Sequence, residues 1–197
     1  GGEGALQYYR YSGVITERGN AVYSAPTPVL ERDAALFTGS LPVLSTVDWD
    51  GDGVRDIVAG NSEGRIVFCR NVGSDTEPRF APGVPISADG HEIHVQAGYR
   101  GSIQGPMEAR WGYVCPTVVD WDGDGLLDIV MSDITGTHTV FLNRGIPTEP
   151  RLERGRTLHC DGLPIHGSWR VQPAVARYQD EGSGETRVSY IALDDDD

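Results

Sequence analysis

Four aspartates alternate within one nine-residue stretch, Asp48, Asp50, Asp52 and Asp56, and four more do so at Asp120, Asp122, Asp124 and Asp128. Both stretches read Asp-x-Asp-x-Asp-Gly-x-x-Asp. Carboxylates this crowded repel one another unless a cation lies among them. A hard cation taking roughly six to eight oxygen ligands matches alternating carboxylates wrapped around a tight turn. Val54 and Leu126 would each add a backbone carbonyl oxygen. Gly53 and Gly125 stand where the chain must turn sharply, and Gly51 and Gly123 add freedom. The expected cofactor is therefore Ca2+ at two sites, and each loop is expected to order when filled. Mg2+ fits less well, because it takes fewer protein ligands in a stricter octahedron. An EF-hand is excluded. Ala59 or Met131 stands at the twelfth position, where a bidentate Glu is required, and the flanking segments read as strands.

The elements that carry these loops recur with them. Asp48 and Asp120 stand 72 residues apart, and Val47–Val58 is repeated at that spacing as Val119–Val130. Three further blocks follow in the same order. Gly64–Asn71 matches Gly136–Asn143, Thr76–Phe80 matches Thr148–Leu152, and Asp89–His94 matches Asp161–His166. Gly4–Arg10 resembles the strand after the loop, and Trp169 onward resembles Trp111 onward, with Pro173 in the place of Pro116. There the acidic loop has decayed into Arg177–Glu185. Asp56–Ala59, the turn residues Gly60–Gly64 and Arg65–Cys69 read as a hairpin. Short apolar runs without clean alternation predict strands buried on both faces. A repeated unit of about four such strands fits a propeller blade. The expected fold class is all-β, with about three propeller units of four-stranded antiparallel sheets in an incomplete ring. The expected units are the end of a preceding blade and a connection at 1–46, a blade with the first loop at 47–118, a blade with the second loop at 119–174, and the start of a degenerate blade at 175–197. Trp49 and Trp121, inside the loops, are expected to anchor packing between blades.

Composition narrows the function classes. The net charge of −13 argues against nucleic acid as a partner, since phosphate binding calls for a basic face. The loops and the Asp194–Asp197 run account for much of this acidity. All 16 basic residues are Arg, which excludes lysine Schiff-base chemistry and a P-loop lysine. No apolar run approaches the roughly 20 residues of a membrane helix, so no membrane span is expected. Cys69, Cys115 and Cys160 lack zinc spacing, permit at most one internal disulfide, and read as buried thiols. Ser102 has no nucleophile-elbow context, and His91-Glu92 lacks the second His of a zinc-protease motif. The chain opens Gly1-Gly2-Glu3-Gly4, without initiator Met or signal peptide, and is expected to be a mature segment or an excised piece.

On its Asp loops and the strands after them, the chain resembles the FG-GAP, or VCBS-type, repeat family, whose repeats also form the integrin alpha-chain propeller. The resemblance implies a β-propeller, usually of about seven blades, with calcium held in loops between blade strands. It also implies a secreted or cell-surface setting. About three units do not close such a ring, so the expected partners include the rest of a larger propeller chain or further copies of this one. The expected function is a calcium-stabilised propeller segment acting as a glycan- or protein-binding or scaffold module, with a glycan or extracellular protein as partner.

Ser87–Tyr113 makes the 72-residue unit longer than the 60-residue spacing from Gly4 to Gly64, and longer loops often carry function. Tyr99, Arg100, Arg110 and Trp111 are candidate ligand-binding residues there, since aromatics stack on sugar rings and Arg pairs with uronate carboxylates. His94 recurs as His166 and Trp111 as Trp169, which suits a packing role. Tyr99, Arg100 and His91 have no counterparts. They are candidates for catalysis in the alternative reading, a propeller-fold polysaccharide lyase. In that chemistry Arg neutralises the uronate and Tyr or His moves the C5 proton in a β-elimination.

Overall fold

The computed structural model describes residues 6–31, 34–102 and 105–193; Gly4 and Ala5 of the N-terminal partial copy and the Asp194–Asp197 run lie outside them. The chain is mostly β, with 43% strand against 4% helix. Each apolar run bracketed by Asp, Asn and Gly becomes a short strand, and neighbouring runs pair antiparallel. β1 (Val43–Val47), β2 (Asp56–Gly60), β3 (Ile66–Cys69) and β4 (Val84–Pro85) form one four-stranded meander. β5 (Cys115–Val119), β6 (Asp128–Ser132), β7 (His138–Phe141) and β8 (Arg156–Thr157) form the second. The register is the same in both. Val47 lies opposite Asp56 and Val119 opposite Asp128; Val58 opposite Phe68 and Val130 opposite Val140; Pro85 opposite Val67 and Thr157 opposite Thr139. The 72-residue period therefore holds through all three ladders.

The second strand of each sheet is buried along its whole length, and successive side chains point to opposite faces. This alternation builds two cores from each such strand. Ile57 and Ala59 pack with Leu6, Val29, Leu36, Cys69 and Phe80 on the N-terminal side. Val58 packs on the other face with Trp49 and Ile66, against Ile129 and Met131 of the second sheet. Val130 turns away from that core to meet Val140, Leu142, Trp121 and Tyr190. The sheets thus stack face to face, and each tryptophan of the acidic loops packs in the core between its own sheet and a neighbour. Fully buried Val and Ile side chains contribute roughly 1.5–3 kcal/mol each, so these interfaces are the main cohesion between units.

The first strands of successive units converge edgewise. The Ser45 hydroxyl donates to the Pro116 carbonyl at 3.2 Å, and the Thr117 hydroxyl donates to the Pro173 carbonyl at 2.5 Å. The Gln172 amide reaches the carbonyls of both Leu44 (3.3 Å) and Pro116 (2.8 Å). A left-handed residue precedes this strand in every unit: Leu41, Tyr113 and Arg170, with φ of 49°, 44° and 59°.

The flanking segments repeat parts of the same pattern. β9 (Ala174–Gln179) and β10 (Thr186–Ile191) form a hairpin in the position of a first and second strand. Gln7–Tyr8 pairs with Thr27–Pro28 as β3 pairs with β4. No closed ring forms among the described residues.

Candidate metal centres

Each acidic loop joins the first strand of a sheet to the second, and its shape is set by its own carboxylates. Asp48 accepts hydrogen bonds from the backbone N–H groups of Asp52 (3.0 Å) and Gly53 (2.9 Å), and Asp52 accepts from Val54 (2.9 Å). In the second loop Asp120 accepts from Gly123 (2.7 Å) and Gly125 (3.2 Å), and Asp124 accepts from Leu126 (2.9 Å). Gly53 and Gly125 adopt φ of +89° and +90°, where a side chain would be strained. Val54 and Leu126 thus enter the turn through their N–H groups.

The last aspartate of each loop is the buried hinge between loop and sheet. Asp56 and Asp128 are wholly buried. Asp56 accepts from the N–H groups of Trp49 (3.0 Å) and Asn71 (2.7 Å), and Asp128 accepts from Trp121 (2.7 Å) and Asn143 (2.7 Å). Burial pushes both carboxyls above the usual aspartate range, against the lowering effect of those N–H donors; the neighbouring aspartates push in the same direction as burial. A cation beside them would reverse that balance.

Carboxylate oxygens of Asp48, Asp50 and Asp56 lie within 4.8 Å of one another, as do those of Asp120, Asp122 and Asp124. Each triad could hold a metal ion, and the donor set is all oxygen, which suits a hard cation. In the first loop Asp52 stands outside the triad; in the second it is Asp128. One oxygen of Asp50, Oδ1, is buried with no hydrogen-bond partner among the described residues. An unpartnered anionic oxygen inside an acidic cluster is costly, and a bound cation would relieve it.

Three kinds of side chain complete the loops without having been singled out in the sequence. Asn71 and Asn143 clamp the segment after the third strand: Asn71 Oδ1 accepts from Gly73 (3.0 Å) and Arg79 (3.1 Å), and Asn143 Oδ1 accepts from Gly145 (3.0 Å) and Arg151 (2.8 Å). Their amides donate to Arg55 (3.1 Å) and Leu127 (3.2 Å), the residues just before the buried aspartates. The signal was present, since both Asn residues close a matched block at the 72-residue spacing. Arg70 pairs with Asp50 (2.8 Å) and Asp52 (2.9 Å), and Arg144 with Asp122 (2.7 Å) and Asp124 (2.8 Å). These arginines flank their Asn on opposite sides, so aligning the repeats does not superpose them. Arg177, from β9, pairs with Asp120 of the second loop.

The candidate catalytic and ligand-binding residues lie along the Ser87–Tyr113 segment. His91 and His94 line an open groove with Asp89, Glu92 and Arg154. Tyr99 and Arg100 lie on a separate one-turn helix, Gly98–Gly101, and both are exposed. No hydrogen bond or ring contact among the described residues joins them to His91. Arg110 offers its backbone carbonyl to Gln96 at 3.4 Å. Trp111 belongs to a stacked cluster: its ring lies 6.1 Å from Tyr113, which lies 5.5 Å from Trp169, and the Arg170 guanidinium covers Tyr113 at 3.8 Å. His94 and His166 each form an isolated β-bridge at matched positions, with Arg65 and Thr137.

Comparison with known proteins bears on the loops and the sheet between them. No curated protein and no solved structure matches the chain. A family described as FG-GAP-like repeat matches residues 48–131, which run from the first aspartate of the first loop to the strand after the second. Residues 48–131 thus carry an FG-GAP-like repeat.

Proposed function

We propose that both loops bind Ca2+ and that the chain is a calcium-stabilised propeller segment of a secreted or cell-surface protein, presenting its loops to a glycan or protein partner. The observation that carries this reading is a converging carboxylate triad in each of two matched loops, two of its three members being equivalent, with the buried Oδ1 of Asp50 left without a donor. The residues that would hold the ion are Asp48, Asp50 and Asp56 in one loop and Asp120, Asp122 and Asp124 in the other, with Asp52, Asp128 and the carbonyls of Val54 and Leu126 beside them. The ion supplies charge neutralisation, and the protein supplies a prepared turn anchored to a buried strand. Binding is favoured over elimination chemistry because no hydrogen bond or ring contact among the described residues links His91 with Tyr99 or Arg100, whereas the acidic loops form a converging donor set. Partner contact would fall on the groove at His91, His94 and Arg154 or on the exposed Tyr99, since exposed loops on a rigid scaffold are common binding surfaces.

Calorimetric titration with Ca2+ after chelator treatment tests the metal reading. Two binding events per chain are expected, with a melting temperature that rises on saturation. Absence of heat, together with melting unaffected by Ca2+ or chelator, would reject it.

A further inference from the structure

The acidic loops follow the first strands, and the residues that enter those strands gather at the opposite end. Each first strand is entered through a left-handed residue: Leu41, Tyr113 or Arg170. Convergence of the strands brings the last two together, with the Arg170 guanidinium carbon 3.8 Å from the centre of the Tyr113 ring. The same carbon lies 3.9 Å from the centre of the Trp169 ring, and the Tyr113 and Trp169 rings are 5.5 Å apart. Trp111 extends the cluster, 6.1 Å from Tyr113 on its own strand approach. Tyr113 is buried, whereas Arg170 and Trp111 are exposed.

Packing alone does not call for a guanidinium here, since a leucine fills the equivalent position in the first unit. Arg170 makes no salt bridge among the described residues, and neither do Arg100 and Arg110 of the hairpin that carries Trp111. That hairpin is closed by the Ala97 N–H to the Trp111 carbonyl (3.2 Å) and the Gly98 N–H to the Ala109 carbonyl (2.9 Å). The carboxylates of this end are engaged elsewhere. Glu108 accepts from the Tyr113 hydroxyl (3.0 Å) and Glu63 from the Ser40 N–H (3.2 Å). The buried Asp133 accepts from the N–H (2.8 Å) and hydroxyl (2.6 Å) of Thr135. A chain of net charge −13 thus carries three guanidiniums without carboxylate partners at one aromatic cluster. The rings cover the faces of Arg170 and fix its plane, which leaves the N–H edge for a planar anion. The Tyr113 hydroxyl engages part of that edge, and Arg170 forms no other hydrogen bond among the described residues.

We propose that this end of the molecule binds an acidic polysaccharide in which uronates alternate with neutral sugars, Arg170 pairing with a uronate carboxylate while Trp111 stacks on a neighbouring ring. A carboxylate meets the guanidinium fork in two parallel hydrogen bonds. The exposed Trp111 ring offers a flat apolar face to the C–H side of a sugar. Arg100 and Arg110 add positive charge along the same hairpin. Single-stranded nucleic acid also stacks on aromatics, but it calls for a basic groove that tracks each phosphate. A few guanidiniums on a strongly acidic chain suit sparser charge. The inference rests on the reading of the chain as a binding module and is independent of what fills the acidic loops, which lie at the far ends of the strands.

Calorimetric titration of the Ca2+-saturated chain with hyaluronan hexasaccharide, an alternating glucuronate oligomer, should show binding that weakens with added salt. The carboxyl-reduced hexasaccharide should bind at least roughly tenfold more weakly. Arg170→Leu places at this position the side chain that Leu41 supplies in the first unit, so the melting temperature should be kept. It should cost the same factor for the acidic oligomer and abolish the difference between the two oligomers. Trp111→Ala should weaken both, and Arg154→Gln, in the His91 groove, should change neither. Several results would overturn the proposal: no binding by the unmodified chain, equal affinity for the two oligomers, or loss on Arg154→Gln and not on Arg170→Leu. Tighter binding of a single-stranded oligonucleotide of equal net charge would do so as well. Titration of the same sample with Ca2+ reads the loops separately, so failure of either result leaves the other standing.

Discussion

The two whole sheets share one backbone plan and differ in what surrounds their acidic loops. In the first, a Cβ on Gly51 would touch Pro147, which belongs to the turn after the third strand of the next unit; in the second, a Cβ on Gly123 would meet the guanidinium of Arg177. The first loop has one arginine on its alternating carboxylates, Arg70, whereas the second has two, Arg144 and Arg177. The Asp50 and Asp52 side chains are 15% and 28% exposed, and Asp122 and Asp124 are 28% and 34% exposed. Loops drawn to the same pattern are thus given different electrostatics by their neighbours. A cation entering the second loop competes with two resident guanidiniums in a wetter setting.

The largest effect tests what the loops have in common. Asp56→Ala strands two buried backbone N–H groups and Asp128→Ala one buried and one half-buried, so each should lower the unfolding free energy by roughly 2–4 kcal/mol in chelator. Denaturant unfolding of the two variants should give similar losses. A loss confined to one of them would mean that the shared hinge is not shared in energy.

A smaller effect tests what separates them. The first loop should fill at lower Ca2+ than the second. Arg177→Ala should strengthen the second site severalfold (on the order of 1 kcal/mol) and leave the first unchanged, as resolved by two-site calorimetry. Weaker binding in that variant would show that Arg177 braces the loop rather than competing for it.

The smallest effect comes from a matched pair deeper in the sheets. Ile66 and His138 hold the same position 72 residues apart, and both are wholly buried. His138 bonds through Nδ1 to the Tyr190 hydroxyl, and its Nε2 has no partner among the described residues. Burial lowers its pKa from 6.5, with Asp133 opposing and His166 reinforcing the shift. A depressed folded pKa means that the unfolded chain binds the proton first. This contribution to stability is therefore present above about pH 6.5 and is lost as pH falls toward the folded value. Melting curves at descending pH should show the loss, and His138→Ile should flatten it. An unchanged slope in that variant would place the acid sensitivity elsewhere.

Much of this was legible because a repeat is a local signal written twice. Strand positions, the hairpin at Gly60–Gly64, the two-faced burial of β2 and β6, and the tryptophan anchors all follow from short-range pattern and comparison of the copies. Asn71 and Asn143 were equally legible but were passed over, because an Asn at a block boundary looks like an ordinary turn residue. Arg70 and Arg144 were not legible by alignment, since they reach their carboxylates from either side of that Asn. The grouping of Tyr99, Arg100 and His91 rested on composition, and composition carries no distance.

By itself, the sequence determined the carboxylate pattern of each loop, the glycines that let it turn, and the alternation that buries a strand on both faces. These depend on residues within a dozen positions of one another, where chain geometry leaves few alternatives. Only the tertiary structure decided which aspartates converge and which guanidiniums compete for them. Those outcomes depend on neighbours brought together by sheet stacking, at separations where sequence spacing no longer limits distance.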